Sequence, residues 1–163
     1  MVGGQLSREA WDLYGTLRLA ILVEDLSHIH KIEVSYGDRG IGTILNITFV
    51  PGTTLKEKFT KVDNQKRLKE VDQVIEGGYL ELGFTFYRVQ FEVIGKGSSD
   101  HESSCIIRTT IEYDVKEFLD HDAAAATKYN HVMSYLSIEP LAKIMEAAKH
   151  YLLKSKSTPA KGY

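Results

Sequence analysis

Hydrophobic residues follow two different spacings along this chain. Residues 7–26 carry apolar side chains near helical spacing and are interrupted by Gly15, so we predict two short helices. From residue 32 to residue 115 the spacing becomes two, and β-branched and aromatic residues alternate with polar ones, which predicts strands. We place six strands, one around 32–34 and the others at 43–50, 55–62, 67–76, 79–94 and 104–115. The short turns between them favour an antiparallel meander.

The fifth predicted strand begins at Tyr79 and is long enough to show two faces. One face carries Thr85, Tyr87, Val89, Phe91 and Val93. The other face begins with Phe84 and Phe86, and it continues with charged and polar residues. We therefore predict that Phe84 and Tyr87 point to opposite sides of the sheet.

The chain becomes helical again beyond residue 122. A run of alanines is followed by a connector near Ser137, and Pro140 is suited to the first turn of a second helix. That helix has one apolar stripe, formed by Leu141, Ile144, Met145, Ala148 and Leu152. Residues 155–163 are polar and are predicted to be a disordered tail.

A meander followed by an amphipathic helix predicts an α+β fold. We expect the helix to lie across the concave face of a curved sheet. The side chains of a single helix cannot fill such a concavity completely, so we also expect an internal cavity.

Composition narrows the class of protein. The 163 residues are 43% hydrophobic and 26% charged, which suits one globular domain over 1–163. A formal net charge of −2 argues against a nucleic-acid partner. No apolar run reaches the length of about 18 residues that a membrane span needs, and the N-terminal residues lack the pattern of a secretory signal. We expect no membrane partner, and a monomer or a weak dimer.

The numbers and spacing of cysteine and histidine argue against a disulfide and against a zinc site. Cys105 is the single cysteine, so no internal disulfide can form, and we expect a reducing, cytoplasmic location. The six histidines are scattered and none forms the helical pair of a zinc hydrolase. We predict no metal and no cofactor.

A glycine-rich turn at Gly37, Gly40 and Gly42 invites comparison with phosphate-binding loops. Those loops open a helix, whereas Gly42 leads into the β-branched run 43–50. We therefore predict a tight connection between strands, in which glycine supplies a positive φ.

The glycine turn also carries a resemblance to a known family. The sequences GDRGIGTI at 37–44 and IEGGYL at 75–80 resemble paired signatures of the Bet v I and major latex protein superfamily of plants. The sequences LKEKF at 55–59 and RLK at 67–69 are most similar to its norcoclaurine synthase branch. The likeness extends from about residue 10 to about residue 154.

The resemblance implies a curved antiparallel sheet that grips a long C-terminal helix around a hydrophobic cavity, with two short supporting helices. Family members usually begin with an edge strand before the first helix. Here residues 5–9 pass almost directly into a helical pattern, as if that first edge strand were truncated. Its loss would expose a sheet edge, so we expect reduced stability or an altered pairing of the N-terminal residues.

Glu57 and Lys69 are the candidate catalytic residues. On pattern alone, Glu57 shares a strand face with Leu55 and Phe59, and it is either a buried base or part of a solvated face. Lys69 on its own would be a surface charge. The resemblance implies that Glu57 is the base and Lys69 the carbonyl-polarising cation of a Pictet–Spengler condensation between an arylethylamine such as dopamine and an aldehyde.

Two further positions depart from the norcoclaurine synthase pattern. The resemblance implies a tyrosine at the position of Leu55 and an aspartate at the position of Val89, and both residues are apolar here. The predicted cavity wall is therefore mainly apolar. We predict that its ligand-binding residues are Leu55, Phe59, Tyr79, Tyr87, Val89 and Phe91.

These observations leave three hypotheses for function. The first is binding of small hydrophobic or aromatic ligands, such as a plant hormone or a specialised metabolite, in plant defence. The second is norcoclaurine-synthase-like condensation by Glu57 and Lys69. The third is a truncated isoform with neither capacity. Leu55 and Val89 favour the first hypothesis over the second.

Overall fold

A computed structural model describes residues 5–25, 29–50, 52–97, 104–117, 123–134 and 138–157. Two short helices come first: α1 (Gln5–Tyr14) and α2 (Arg18–Glu24). The strands are β1 (Ile29–Tyr36), β2 (Ile44–Phe49), β3 (Thr54–Asp63), β4 (Leu68–Gly77), β5 (Phe84–Lys96) and β6 (Ser104–Val115). A 3₁₀ helix (Gly78–Leu82) lies between β4 and β5, and the chain continues into α3 (Ala123–Ser134) and α4 (Glu139–Ser157).

The strands form one curved antiparallel sheet in the order β1-β2-β3-β4-β5-β6, so the predicted meander is confirmed. Buried residues of α1 and α4 pack with the sheet in the larger of two apolar clusters among the described residues. Tyr14 of α1 meets Phe91 of β5 with ring centroids 5.4 Å apart, and Thr109 of β6 lies 3.2 Å from the Met145 sulfur of α4. The helices therefore cover one face of the sheet, as the α+β prediction requires.

Gly15 separates α1 from α2, as predicted, and close packing explains why. A β-carbon at Gly15 would come within 2.7 Å of the Trp11 ring. Trp11 in turn donates a hydrogen bond from Nε1 to Asn64 Oδ1 in the β3–β4 turn, at 3.0 Å. The missing side chain of Gly15 thus lets the backbone pass close to the Trp11 ring, which anchors α1 to the sheet.

The glycine turn joins β1 to β2, and two of its three glycines need positive φ. Gly37 has φ +99°, and a β-carbon there would lie 2.7 Å from Thr43 Cα. Gly42 has φ +88° in open space. The third positive φ of this turn falls on Arg39, at 78°, and not on Gly40. The prediction of a strand connection is confirmed.

The start of β5 differs from the prediction. Residues 78–82 form the 3₁₀ helix, and β5 begins at Phe84. The register shifts between Phe84 and Phe86, so Phe84 turns to the side of Tyr87 and is buried, while Thr85 is exposed. The predicted opposition of Phe84 and Tyr87 was wrong because this irregularity breaks the two-residue alternation.

The C-terminal helix has its predicted apolar stripe, with Ala148 and Leu152 buried and Leu141, Ile144 and Met145 partly buried. It continues to Ser157, three residues into the segment that we predicted to be disordered. The connector predicted near Ser137 lies outside the described residues. None of the helices in the described ranges is long and apolar enough to cross a membrane.

At the other end of the described chain, α1 already begins at Gln5, and the strands β1 and β6 form the two edges of the sheet within the described residues. The expected loss of stability from an exposed edge stays a prediction.

Candidate active site

A cavity of about 430 Å³ lies between the sheet and the helices α2 and α4. Its volume falls in the range of about 300–1,000 Å³ that is usual for small-molecule sites. Residues of β1 to β5 form its walls, and Pro140, Leu141 and Ile144 of α4 close one side. The cavity that we predicted from the sheet and helix is therefore present.

All eight residues that the sequence singled out line this one cavity: Leu55, Glu57, Phe59, Lys69, Tyr79, Tyr87, Val89 and Phe91. Alternate residues of β3 supply three of them, because a strand sends every second side chain to the same face. β4 supplies one, the 3₁₀ helix supplies one, and β5 supplies three. The roles that we assign to these residues remain predictions.

Glu57 faces the cavity from the middle of β3. Its neighbours on the same strand face, Leu55 and Phe59, are 7% and 2% exposed, so this face points inward. Burial raises the pKa of Glu57 from 4.5 to about 7, and the positive charge of Lys69 opposes that rise. A carboxylate of this kind exchanges its proton near neutral pH, which suits a general base.

Lys69 is buried and not a surface charge, since only 3% of it is exposed. Its Nζ donates a hydrogen bond to the backbone oxygen of Thr16, at 3.2 Å, and lies 3.7 Å from the centre of the Phe59 ring. Burial lowers the pKa of Lys69 to about 8, while Glu57 acts to raise it. The ammonium is thus held by one carbonyl and one aromatic face at the edge of the cavity.

The sequence did not reveal either of these two partners of Lys69. Thr16 lies in the α1–α2 connection, and no local pattern signals its carbonyl as an acceptor. Phe59 was predicted as a ligand-binding residue only, whereas its ring also contacts the ammonium. The alternation on β3 places Phe59 on the Glu57 face, and only the packing brings it to Lys69.

Tyr79 and Tyr87 form a stacked pair in the cavity wall. Their ring centroids are 4.0 Å apart with 9° between the planes, and the two hydroxyls share a hydrogen bond. Burial, above all, raises the pKa of Tyr87 well above its ordinary value, and its interaction and hydrogen bond with Tyr79 and the charge of Glu57 add to that rise. Tyr87 therefore stays a neutral hydroxyl over the whole physiological range.

The two apolar departures also lie in the cavity. Leu55 pairs with Ile47 and Gly77 on the neighbouring strands, and Val89 pairs with Val71 and Ile111. Neither side chain brings a polar atom to the site. In the part of the chain that the structure describes, no group of three His, Cys, Asp or Glu residues lies close enough to hold a metal ion.

Residues 5–155 match the model of the Pathogenesis-related protein Bet v 1 family. The chain belongs to this family. Within it, the chain is 41% identical to norbelladine synthase of Narcissus pseudonarcissus, over 91% of this chain and 86% of that protein. It is 39% identical to S-norcoclaurine synthase of Thalictrum flavum subsp. glaucum, over 91% of this chain and 66% of that protein.

Solved structures of family members agree with this fold. An X-ray structure of norcoclaurine synthase from Thalictrum flavum in complex with dopamine and hydroxybenzaldehyde has a TM-score of 0.73 and 35% identity. The match covers 93% of this chain and 82% of that one. The resemblance inferred from the glycine turns and from the LKEKF sequence is confirmed at the level of the family and of its fold.

Proposed function

We propose that this protein condenses an aromatic ethylamine with an aldehyde, using Glu57 as the base and Lys69 as the hydrogen-bond donor. The observation that carries the proposal is the presence of both groups in one apolar cavity with their pKa values drawn towards neutrality, to about 7 and about 8. Unlike exposed residues of their types, both can gain or lose a proton near neutral pH.

The chemistry divides into two stages that these residues can serve. In the first, the amine nitrogen attacks the carbonyl carbon. The carbonyl oxygen takes one proton from that nitrogen and one from the medium and leaves as water, which gives an iminium ion. The Lys69 ammonium can donate a hydrogen bond to that oxygen as it leaves. In the second, the aromatic ring attacks the iminium carbon. Glu57 then removes a proton from the ring, and the loss of this proton restores aromaticity.

The apolar wall favours both stages over reaction in water. A water-poor site strengthens the interaction of Lys69 with the developing charge on oxygen. It also limits the return of water to the iminium ion. Leu55 and Val89 supply no hydrogen bond, so we expect slower turnover than in an enzyme with a tyrosine and an aspartate at these positions.

The comparisons support the proposal at the level of chemical class. The relatives above 35% identity include a norbelladine synthase and a norcoclaurine synthase, and one solved relative holds an amine, dopamine, together with an aldehyde, hydroxybenzaldehyde. Since the chain spans about two thirds of the Thalictrum enzyme, the activity of that whole protein is a proposal here and not a property carried over.

A chiral product assay tests the proposal. The protein is incubated with dopamine and 4-hydroxyphenylacetaldehyde, beside a reaction without protein and one with the Glu57→Gln variant. We expect an excess of one norcoclaurine enantiomer that the variant loses. A racemic product at the background rate would contradict the proposal.

Binding of apolar ligands is a second proposal, and the composition of the cavity favours it. Only four of the described side chains that line the cavity carry a polar atom, namely Glu57, Lys69, Tyr79 and Tyr87. Such a wall suits small aromatic, steroid-like or terpenoid ligands. Displacement of an apolar fluorescent dye by such compounds measures this binding. If no compound of these three classes displaced the dye, the second proposal would be contradicted.

A further inference from the structure

The polar side chains of the cavity form two separate groups. Glu57 and Lys69, on β3 and β4, make the charged group to which we assign the condensation. Tyr79 and Tyr87, on the 3₁₀ helix and β5, make a second group that carries no charge. Every other described side chain of the wall is apolar, so a ligand has few other places at which to satisfy a polar atom.

We propose that the stacked pair Tyr79–Tyr87 binds a phenolic hydroxyl on the ring of one of the two substrates, and so makes the protein select ring-hydroxylated substrates. This inference rests on the proposed condensation for the identity of the substrates. It assigns a specificity-determining role to two residues that the sequence placed only in the greasy wall.

The chemistry of the pair fits a neutral hydroxyl better than an anion or an apolar group. Each tyrosine hydroxyl both donates and accepts a hydrogen bond, as a phenol does. Two linked hydroxyls polarise one another, which strengthens the bond that the pair makes to a third. The pair offers no positive charge to bind an anionic group. The negative charge of Glu57, which also acts on Tyr87, would repel such a group.

The surroundings hold the pair in place before a ligand arrives. Phe84 packs edge-on against both rings, with centroids 5.6 Å from Tyr79 and 5.8 Å from Tyr87. The 3₁₀ helix that carries Tyr79 lies between two glycines of positive φ, Gly77 at 82° and Gly83 at 108°. Both ends are closely packed, since a β-carbon at either glycine would collide with neighbouring atoms. A rigid donor–acceptor pair loses little entropy when it binds its partner.

The tyrosine pair lies where it can bind one end of a substrate whose other end reaches Glu57 and Lys69. The charged group and the hydroxyl pair line the same cavity of about 430 Å³, and Tyr87 experiences the Glu57 charge. They nevertheless come from different elements, and the apolar Val89 of β5 shares the wall with them. A ring held by its hydroxyl at the pair would direct its side chain towards the reacting groups.

Binding measurements with unreactive probes test this inference without turnover. For the amine, we compare the affinities of tyramine and 2-phenylethylamine by calorimetry. For the aldehyde, we compare the matching alcohols, 4-hydroxyphenylethanol and 2-phenylethanol. In one of these two pairs we expect the hydroxylated member to bind roughly threefold to tenfold more tightly, as one net hydrogen bond allows. The pair that shows the preference identifies the substrate bound here.

Variants then assign the preference to the tyrosines. Tyr79→Phe and Tyr87→Phe keep the stacked rings, and each is expected to reduce the preference to about twofold or less. Tyr113→Phe is the matched control, because Tyr113 packs edge-on against Phe84, with centroids 5.8 Å apart, and does not line the cavity. We expect Tyr113→Phe to leave the preference unchanged.

Several outcomes would overturn the inference. Equal affinities within both probe pairs for the wild-type protein would do so without any variant, as would a preference that survives in both Tyr79→Phe and Tyr87→Phe. A racemic condensation product together with an intact, tyrosine-dependent preference would remove the proposed enzyme and keep the hydroxyl site. The failure of one proposal is therefore distinguishable from the failure of the other.

Discussion

Replacing Glu57 by glutamine should abolish condensation and at the same time make the protein more stable at alkaline pH. The unfolded chain ionises this carboxyl above about 4.5, whereas the folded protein does so only above about 7. A pKa that is higher in the folded state means that stability is lost as pH rises between these values. Glutamine has no charge to bury, so the variant does not suffer this loss.

The expected magnitude follows from the pKa of Glu57. Its rise from 4.5 to about 7 corresponds to about 3 kcal/mol, because each pKa unit is worth about 1.4 kcal/mol. The attraction of Lys69 is already included, since it lowers the pKa of Glu57 in the same environment. The variant should therefore exceed the wild-type protein by about 3 kcal/mol at pH 8, and by less than about 1 kcal/mol at pH 5.

Urea unfolding of both proteins at pH 5 and pH 8 measures these differences, since their m-values should agree. Glu33→Gln is the control, because Glu33 is an exposed carboxylate paired with Lys31 on β1. It should change stability by less than about 1 kcal/mol at either pH. An equal or lower stability of Glu57→Gln at pH 8, or a gain that does not depend on pH, would refute the burial of Glu57.

Three other predictions concern catalysis, the wall and the backbone. The kcat/KM of condensation should rise with pH through the Glu57 pKa of about 7 and fall through the Lys69 pKa of about 8, and a flat pH profile would exclude the pair as base and donor. Val89→Asp should increase the condensation rate and weaken the binding of apolar dyes; unchanged values of both would remove Val89 from the cavity wall. Gly77→Ala should lower stability by at least about 1–3 kcal/mol in thermal unfolding, because its β-carbon would collide with the Thr54 carbonyl oxygen of β3. Gly42→Ala has a similar φ in open space, so an equal loss there would show that the contact is irrelevant.

The sequence alone determined the elements and much of the site's membership. Strand alternation and the apolar stripe of α4 are local patterns, because the side-chain period of a strand or helix follows from its backbone geometry. The alternation on β3 placed Leu55, Glu57 and Phe59 on one face, and the structure turns that face into the cavity. The resemblance added Lys69, which its own neighbours in the chain would have left on the surface.

Only the tertiary structure decided the local exceptions. The 3₁₀ helix at Gly78–Leu82 and the register shift after Phe84 place Tyr79 beside Tyr87, in a region where alternation predicted a continuous strand. Such irregularities depend on how the glycines and the neighbouring strands fit together. No period in the sequence encodes them.

Tertiary structure also decided the chemical state of the site. The sequence specifies a glutamate at position 57 and a lysine at position 69. Their pKa values, however, depend on burial in the apolar wall and on the charge that each residue presents to the other. The carbonyl of Thr16 and the ring of Phe59, which hold the ammonium, come from separate elements. Desolvation and charge interaction act through space, so the fold sets the chemistry that the chain's residue types only make available.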